Sequence, residues 1–327
     1  MYYPIMFEPI YKQMIWGGKR FSELFGRRLP APSVGESWDI SCRPNEMGTV
    51  KNGRFHGTTF EQLIDINPEG YLGKALCSNA LYSNALRSEA LYSNKKFPLL
   101  VKLIDANDDL SVQVHPPGEK NEIWYIIFAP EGSRLNAGLV PGVKKEEFST
   151  ALSKGGVEKY LNFIPVKAGD VINIPAGTVH ALGAGLVIAE IQQNSDTTFR
   201  VYDYGRVDKS GNPRQLHIAE ALSAIDFDIR CAVLQGQVSS VPGGKIVFYC
   251  ATKYYALYEY FVKTSIGETS DPDRFFIFTC VDGGCEIRAN GYCATVAAGD
   301  SVFIPAALGD YEIVGKARLL KSFVPGV

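Results

Sequence analysis

The 327-residue sequence predicts a mainly β protein with two related β-domains and only a few helices. Two observations support this fold class. Many short runs rich in Val, Ile, Phe and Tyr lie between Gly and Pro residues, a pattern typical of a β-sandwich or barrel. In addition, residues 167–180 align with residues 297–310 at an offset of 130, with six of the fourteen positions identical. Two copies of one strand-and-turn unit indicate two related domains.

The individual elements follow from length and periodicity. Strands are predicted at residues 97–104, 110–115, 122–128, 170–175, 186–192, 245–250, 275–280 and 301–305. Helical spacing of apolar residues is confined to residues 58–66, which open with a Thr suited to a helix N-cap, residues 144–161, which Gly155 and Gly156 interrupt, and residues 216–225. These helices are expected to decorate a β framework.

Residues 75–94 form a local repeat of four pentapeptides. Five residues turn a helix by about 500°, so the repeated leucines would form no stripe on a helix. On a strand, an odd period would send them to alternate faces. The repeat is therefore interpreted as an insertion in a surface loop, where extra residues have a small entropic cost. A docking role for its tyrosines is the alternative.

Composition excludes several classes of protein. Lys and Arg total 33 and Asp and Glu total 35, and this balance argues against a nucleic-acid binder. No apolar run reaches the ~18 residues of a membrane span, and the N-terminal residues lack the pattern of a secretory signal. The seven cysteines contain no CxxC pair. They are expected to be free thiols in a reducing compartment, which makes the cytoplasm the predicted location.

Four side chains suited to a metal ion lie near the first copy of the repeat. Gln113 and His115 are two residues apart, so both point to one face of a strand. Glu122 follows a Pro- and Gly-containing turn, which we interpret as the turn of a hairpin. His180 ends the first repeat copy, whereas the second copy has Asp310 there. Two imidazoles, a carboxylate and an amide oxygen suit zinc, although two His and one Glu also suit Fe(II).

These residues also fit a family pattern. Gly169, Pro175, Gly177 and His180 match G-x5-P-x-G-x2-H, the second motif of the cupin superfamily. The run from Gln113 to Glu122 resembles its first motif, with Gln in place of the usual first His. The resemblance implies two cupin-type jelly-roll barrels.

The expected domains follow from this resemblance. Residues 1–230 are the predicted catalytic cupin domain with the metal site, and residues 75–94 are an insert in one of its loops. Residues 231–327 are the predicted second, degenerate cupin-like domain, which lacks the metal ligands.

Further motifs resemble the type I phosphomannose isomerases, at residues 15–18, 35–41, 97–116 and 193–206. The resemblance extends from about Pro4 to Phe227. It implies an enzyme that interconverts mannose 6-phosphate and fructose 6-phosphate through a cis-enediol. It also implies one zinc ion per chain, held by Gln113, His115, Glu122 and His180, and a catalytic arginine at Arg200.

The reaction needs a proton shuttle and a phosphate site. Lys120, two residues before Glu122, is one candidate base, and a metal-bound water is the other. Arg200 stays protonated, so it is assigned to the enediolate or the phosphate. Ser111 and Lys102 are the predicted phosphate contacts. Candidate residues given no catalytic role are Trp16, which packs or lines the pocket, and Glu36, Asp39 and Glu190, which are interpreted as structural.

Two other functions remain possible at the level of sequence. One is an Fe(II) cupin oxygenase, and the other is a non-catalytic sugar-phosphate sensor. The expected partner is a small sugar phosphate, with no nucleic acid and no membrane. The sequence does not predict the oligomeric state.

Overall fold

The structure is a computed structural model that describes residues 1–78, 97–207 and 211–325. The described residues form six α-helices: α1 (Arg20–Phe25), α2 (Phe60–Ile66), α3 (Pro68–Leu72), α4 (Lys74–Cys77), α5 (Lys145–Lys154) and α6 (Ile218–Ala224). Their strands are β1 (Ile5–Met6), β2 (Ile10–Lys12), β3 (Glu36–Ile40), β4 (Cys42–Arg43), β5 (Glu46–Met47), β6 (Leu99–Ala106), β7 (Val112–Val114), β8 (Glu122–Phe128), β9 (Arg134–Leu139), β10 (Leu161–Pro165), β11 (Val171–Ile174), β12 (His180–Ala181), β13 (Leu186–Gln193), β14 (Phe199–Tyr202), β15 (Gln237–Val241), β16 (Gly244–Ala251), β17 (Ala256–Val262), β18 (Ser265–Thr269), β19 (Phe276–Ala289), β20 (Tyr292–Ala297), β21 (Ser301–Ile304) and β22 (Asp310–Phe323). The predicted mainly β class is confirmed.

Two antiparallel sheets build the N-terminal part of the fold. One has six strands in the order β11-β8-β13-β6-β3-β2, and the other has five in the order β10-β9-β12-β7-β14. An apolar core that includes Ile104 and Trp124 from the first sheet and Leu135 and Ala137 from the second lies between them. Helices α5 and α6 pack against the five-stranded sheet through a separate apolar cluster.

The connection between β7 and β8 corrects one prediction. These strands belong to different sheets, so they do not form the hairpin expected from the turn between His115 and Glu122. The turn instead carries the chain from the five-stranded sheet to the six-stranded sheet. His115 and Glu122 approach each other across the gap between the facing sheets.

Strand β8 shows how a continuous apolar run serves two cores. Ile123 and Tyr125 pack in a core shared with the C-terminal sheet, whereas Trp124 and Ile126 pack between the two N-terminal sheets. Side chains alternate between faces along a strand, so Glu122 lies on the same face as Trp124. The carboxylate is thereby directed into the space between the two N-terminal sheets.

The C-terminal sheet repeats the strand order of the six-stranded sheet. It has nine strands, and its main path runs β1-β21-β19-β22-β17-β16-β15. Strand β21 corresponds to β11 in the sequence repeat. Across the two sheets, β21-β19-β22-β17-β16-β15 therefore corresponds to β11-β8-β13-β6-β3-β2. In the first copy Ile174 lies opposite Glu122, and in the second Ile304 lies opposite Phe276. The internal repeat is therefore structural as well as sequential.

The three predicted helical segments all contain helices. Thr59 caps α2, where its side chain accepts a hydrogen bond from the backbone N–H of Gln62. Helix α5 ends at Gly155, which has a positive φ of 89°, and a short 3₁₀ turn follows. Helices α1, α3 and α4 were not predicted, because segments of four to six residues show too little periodicity.

The pentapeptide repeat lies mostly outside the described residues, since only its positions 75–78 are described. These positions overlap α4, where Ala75 and Leu76 are buried. The interpretation of the repeat as a surface-loop insertion is therefore wrong for its first residues, 75–77, which belong to this helix. Within the described part of the chain, no helix has the length and apolar character needed to cross a membrane. All seven cysteines are unpaired.

Candidate metal centre and active site

Three buried side chains converge between the two N-terminal sheets. His115 directly follows β7, His180 begins β12 and Glu122 begins β8. The Nε2 atoms of His115 and His180 lie 3.3 Å from Glu122 Oε2 and Oε1, respectively. Each of the three residues is at most 1% exposed. Their potential ligand atoms all lie within 4.8 Å of one another.

Backbone carbonyls orient the two imidazoles. His115 Nδ1 donates to the Thr197 carbonyl and His180 Nδ1 to the Thr178 carbonyl, both at 2.8 Å. This arrangement leaves each Nε2 as the unprotonated nitrogen, the form that binds a metal. Burial, reinforced by the charge of Lys120, lowers the pKa of His115 to about 3. Burial also lowers the pKa of His180. Both rings are therefore neutral at physiological pH.

Glu122 provides the observation that fits a cation. Both of its carboxylate oxygens are buried and accept no hydrogen bond. Burial alone would raise its pKa, but the charge of the neighbouring Lys120 ammonium holds that pKa well below its usual range. An ionised carboxylate buried in this way is costly unless a positive charge compensates it. The Lys120 ammonium, 3.3 Å from Oε2, supplies part of that charge, and a metal ion between Glu122 and the two Nε2 atoms would supply the rest.

Gln113 is the fourth residue of the ligand set that the sequence predicts. It lies in β7 directly opposite His180 of β12. Its amide Nε2 is 3.2 Å from His180 Nε2. A half-turn of the amide exchanges Nε2 for Oε1 and directs an acceptor towards the same point. Two nitrogens and two oxygen groups then surround one position, a donor set suited to zinc.

Lys120 lies beside this cluster. Its Nζ is 3.2 Å from His115 Nε2 and 3.3 Å from Glu122 Oε2, and the residue is 5% exposed. Its position two residues before Glu122 brings the ammonium to the edge of the site that faces the adjoining pocket. The structure thus brings this predicted residue into contact with the candidate metal ligands.

A pocket of about 200 Å³ opens next to the cluster. The predicted residues that line it are Trp16, Lys102, Ser111, Gln113, Lys120, His180 and Arg200. Arg200 lies in β14 opposite Gln113, and its Nε donates to Ser111 Oγ at 3.3 Å. Trp16 is 3% exposed and also packs in the adjacent core, so it both lines the pocket and packs.

An arginine cluster forms one end of the pocket. Arg214 lines the pocket and, like Arg206, binds the carboxylate of Asp203. One carboxylate therefore faces three guanidinium groups when Arg200 is included. Burial and the charge of Arg214 lower the pKa of Arg200. The sequence analysis missed Arg214, because it lies in a turn-rich segment without a periodic pattern.

Lys102 lines the opposite side of the pocket, where two carboxylates match its charge. Its Nζ lies 3.1 Å from Glu190 Oε1 and 3.7 Å from Glu36 Oε2. These carboxylates accept hydrogen bonds from the indole N–H groups of Trp124 and Trp38, respectively. Glu36 and Glu190 were interpreted as structural, but both line the pocket. An acidic residue inside the apolar run 186–192 is the signal that could have identified Glu190.

Comparison with known proteins places this geometry in a family. A probable mannose-6-phosphate isomerase, GmuF of Bacillus subtilis (strain 168), is 33% identical over 335 residues, which span 98% of this chain and 99% of that protein. The chain belongs to the type I phosphomannose isomerases. The family model "Phosphomannose isomerase type I, catalytic domain" matches residues 5–130, and "Mannose-6-phosphate isomerase, cupin domain" matches residues 245–324. The predicted family and cupin character are therefore confirmed.

Other phosphomannose isomerases match over the same length. The mannose-6-phosphate isomerase of Streptococcus mutans is 32% identical, covering 97% of this chain and 98% of that protein. Among solved structures, the mannose 6-phosphate isomerase of Bacillus subtilis superposes with a TM-score of 0.84 at 32% identity, covering 98% of this chain and 99% of that one. A putative mannosephosphate isomerase from Archaeoglobus fulgidus, at 20% identity and a TM-score of 0.72, shares the fold.

Proposed function

We propose that this chain is a zinc-dependent isomerase that interconverts mannose 6-phosphate and fructose 6-phosphate. The observation that carries the proposal is the Glu122 carboxylate, whose two buried oxygens accept no hydrogen bond from the described residues and face two neutral imidazoles and the Lys120 ammonium. That cluster adjoins a pocket with an arginine-rich end. Family membership supplies the reaction, since the curated relatives are described as mannose-6-phosphate isomerases.

The proposed zinc ligands are Gln113, His115, Glu122 and His180, with one ion per chain. Zinc suits two imidazoles with oxygen donors and leaves a position for substrate. When bound, it would polarise the substrate oxygens and stabilise the negative charge of the enediolate. The carbonyls of Thr197 and Thr178 keep both imidazoles in the tautomer that this role requires.

Arg200, Arg214 and Ser111 are the residues that we assign to the phosphate end of the substrate. Among the described residues, Asp203 is the carboxylate that binds Arg206 and Arg214 of this cluster, and we infer that the three guanidinium groups keep positive charge for a phosphate. Arginine binds phosphate oxygens through two parallel N–H donors. We assign Lys102 to the sugar end instead of the phosphate, because Glu190 and Glu36 already match its charge.

Lys120 is the proposed proton shuttle between C1 and C2 of the sugar. Isomerisation removes a proton from one carbon and returns one to the other, with a cis-enediol in between. Lys120 Nζ lies within 3.3 Å of two candidate ligands, so a substrate held at the metal would lie next to this amine. Arg200 remains protonated and is proposed to stabilise charge on the enediolate oxygens as well as on the phosphate.

Two broader assignments belong to the same proposal. Residues 1–230 form the catalytic unit and residues 231–327 a second cupin-like unit without metal ligands. The protein acts in the cytoplasm, consistent with seven unpaired cysteines in the structure. An Fe(II) oxygenase and a sensor are less favoured, because the relatives across the full length are described as isomerases.

A coupled assay tests the proposal directly. Mannose 6-phosphate is supplied to the purified chain, and fructose 6-phosphate formation is followed before and after treatment with a chelator. We expect turnover that the chelator removes and added zinc restores. Unphosphorylated mannose should be a far poorer substrate, because it leaves the arginine cluster unused. Absence of turnover with zinc-loaded, folded protein would overturn the proposed function.

A further inference from the structure

A second cavity lies in the C-terminal sheet, away from the site described above. Its volume is about 450 Å³, within the size range of small-molecule sites. The residues that line it include Tyr258, Asp271, Arg274, Phe276, Lys321 and Phe323. Phe276 and Lys321 are buried, whereas the other four are partly exposed and form the rim.

This cavity occupies the place that the catalytic pocket has in the first repeat copy. Across the first sheet, Lys102, Glu190 and Trp124 lie opposite one another on neighbouring strands. Across the second sheet, the corresponding row is Tyr258, Lys321 and Phe278. The sequence repeat shows that the two rows correspond. Trp124 pairs with Ile172 in the first copy, and Phe278 pairs with Val302 in the second. Ile172 and Val302 are 130 residues apart, which is the offset of the repeat.

The metal ligands have different counterparts in the second copy. Phe276 takes the place of Glu122, and Asp310 takes the place of His180. Asp310 pairs with Thr269, as His180 pairs with Gln113. In the second copy, Thr269, Asp271, Phe276 and Asp310 therefore stand at the positions of Gln113, His115, Glu122 and His180, respectively. The ring of Phe276 therefore fills the point at which a carboxylate would meet a metal, but the cavity beside it remains.

The charged side chains that the structure describes in the second cavity lie in pairs. Lys321 Nζ lies 2.7 Å from Glu268 Oε2, and Arg274 Nε lies 2.8 Å from Asp271 Oδ2. One end of the catalytic pocket differs, because the guanidinium groups of Arg200, Arg206 and Arg214 there surround the Asp203 carboxylate. A phosphate group would find no surplus of positive charge in the second cavity. A neutral ligand suits this arrangement better.

Aromatic rings supply most of the remaining surface. Tyr258 and Phe323 lie with ring centroids 5.9 Å apart and planes 17° from parallel, and Phe276 meets Phe323 edge to face. Lys321 Nζ is 3.9 Å from the centroid of the Phe276 ring. The C–H face of a sugar ring packs on such aromatic surfaces, while its hydroxyls bind the charged groups of Asp271 and Arg274.

We propose that this cavity binds a neutral hexose and is a second sugar site, distinct from the catalytic pocket. The retained cavity, the aromatic surface and the paired charges carry the proposal together. It does not depend on the isomerase activity, because binding here requires neither zinc nor turnover.

The test is a calorimetric titration of the zinc-loaded full chain with D-mannose. D-glucose and D-galactose serve as further probes. We expect saturable binding of at least one of these neutral hexoses. Tyr258→Leu removes the ring that stacks on the sugar and should weaken that binding by about tenfold. Arg274→Gln, at the rim, should weaken it as well. Neither change should alter kcat with mannose 6-phosphate.

Two controls separate this site from the others. Arg288→Gln removes an exposed arginine of the same sheet that pairs with Glu286 and does not line the cavity, so binding should be unchanged. Arg200→Lys perturbs the catalytic pocket and should also leave hexose binding unchanged. If Tyr258→Leu fails to fold, the loss of hexose binding is judged from Arg274→Gln instead. The proposal is overturned if no probe binds, or if binding is lost with Arg200→Lys and is unaffected by the cavity variants.

Discussion

At the scale of single residues, the chemistry depends on how Glu122 is surrounded. Its oxygens receive no hydrogen bond, and the nearest groups are two imidazole nitrogens and the Lys120 ammonium. Protein interiors rarely leave a carboxylate in that condition. The two imidazoles are themselves held by backbone carbonyls, which fixes their Nε2 atoms as donors before any ion binds.

The first prediction concerns the two histidines. His115→Ala or His180→Ala removes one donor, and three remaining ligands should hold zinc poorly. We expect zinc content, measured by elemental analysis after gel filtration, to fall well below one per chain, and turnover to fall with it. His56→Ala, at an exposed histidine, is the matched control and should keep full zinc content. Retention of stoichiometric zinc by both site variants would exclude these residues as ligands.

The second prediction concerns Arg200. Arg200→Lys keeps the charge but removes the forked N–H donors, so we expect kcat to fall by roughly 10²-fold or more, the scale of one lost oxyanion contact. Zinc content should not change. A role restricted to ground-state phosphate binding would raise KM and leave kcat intact. The control is Arg230→Lys, at an exposed arginine whose described side-chain hydrogen bonds go to the carbonyls of Phe227 and Ile229. An unaltered kcat in stably folded Arg200→Lys would refute the catalytic role.

The sequence revealed the candidate ligands but not all residues around them. Gln113 and His115 share a strand face, and His180 ends a repeated motif, so local patterns identify them. Glu190 interrupts an apolar run and so stands out in the sequence, but its contact with Lys102, like the position of Arg214, does not follow from a local pattern. Glu190 reaches the pocket through pairing with Lys102, 88 residues away in the chain, and Arg214 through its bond to Asp203. No local pattern records those distant contacts.

At the scale of elements, strand positions were predictable and strand partners were not. The run 122–128 was predicted with the bounds that β8 has in the structure. Its assignment to a hairpin with β7 was wrong, because a Pro- and Gly-containing turn joins strands of two facing sheets as readily as neighbours within one sheet. Helix α2 was identifiable from its Thr cap, whereas α1, α3 and α4 are too short to show a period.

The pentapeptide repeat gives a prediction at this scale. Deletion of residues 80–94, closed by a short Gly/Ser link, should change the free energy of unfolding by no more than about 1 kcal/mol, because loop length has a weak entropic effect. Deletion of residues 75–94 should cost about 2–5 kcal/mol, because it also removes the buried Leu76. Urea denaturation measures both. Equal losses in the two variants would show that residues 80–94 contribute to the core.

At the scale of the whole molecule, the two β-units share a core. That core combines Val101 and Tyr125 of the six-stranded sheet with Leu257, Ile277 and Leu320 of the C-terminal sheet. Polar contacts cross the same boundary, since the buried Glu259 accepts hydrogen bonds from Tyr125 and Arg318. In addition, β1 from the N-terminus pairs with β21. The sequence repeat predicted two units but not this joint core. A repeat shows that two segments are alike, and it carries no information on which of their faces pack against each other.

A shared core predicts one cooperative unfolding transition. The three tryptophans, Trp16, Trp38 and Trp124, all lie in the N-terminal part of the chain, whereas circular dichroism reports strands of both units. Urea transitions followed by tryptophan fluorescence and by circular dichroism should therefore coincide. Separate midpoints would mean that the C-terminal unit unfolds on its own.

The most direct test of the proposed mechanism is a zinc titration of metal-free protein with isomerase turnover as the readout. The four donors around one position predict that turnover of mannose 6-phosphate rises linearly with added zinc and reaches its plateau at one equivalent per chain. Glu122→Gln, which keeps the shape of the side chain and removes its charge, should show no such rise. Full turnover before any zinc is added, or a plateau that requires a second equivalent, would contradict a single zinc ion held by Gln113, His115, Glu122 and His180.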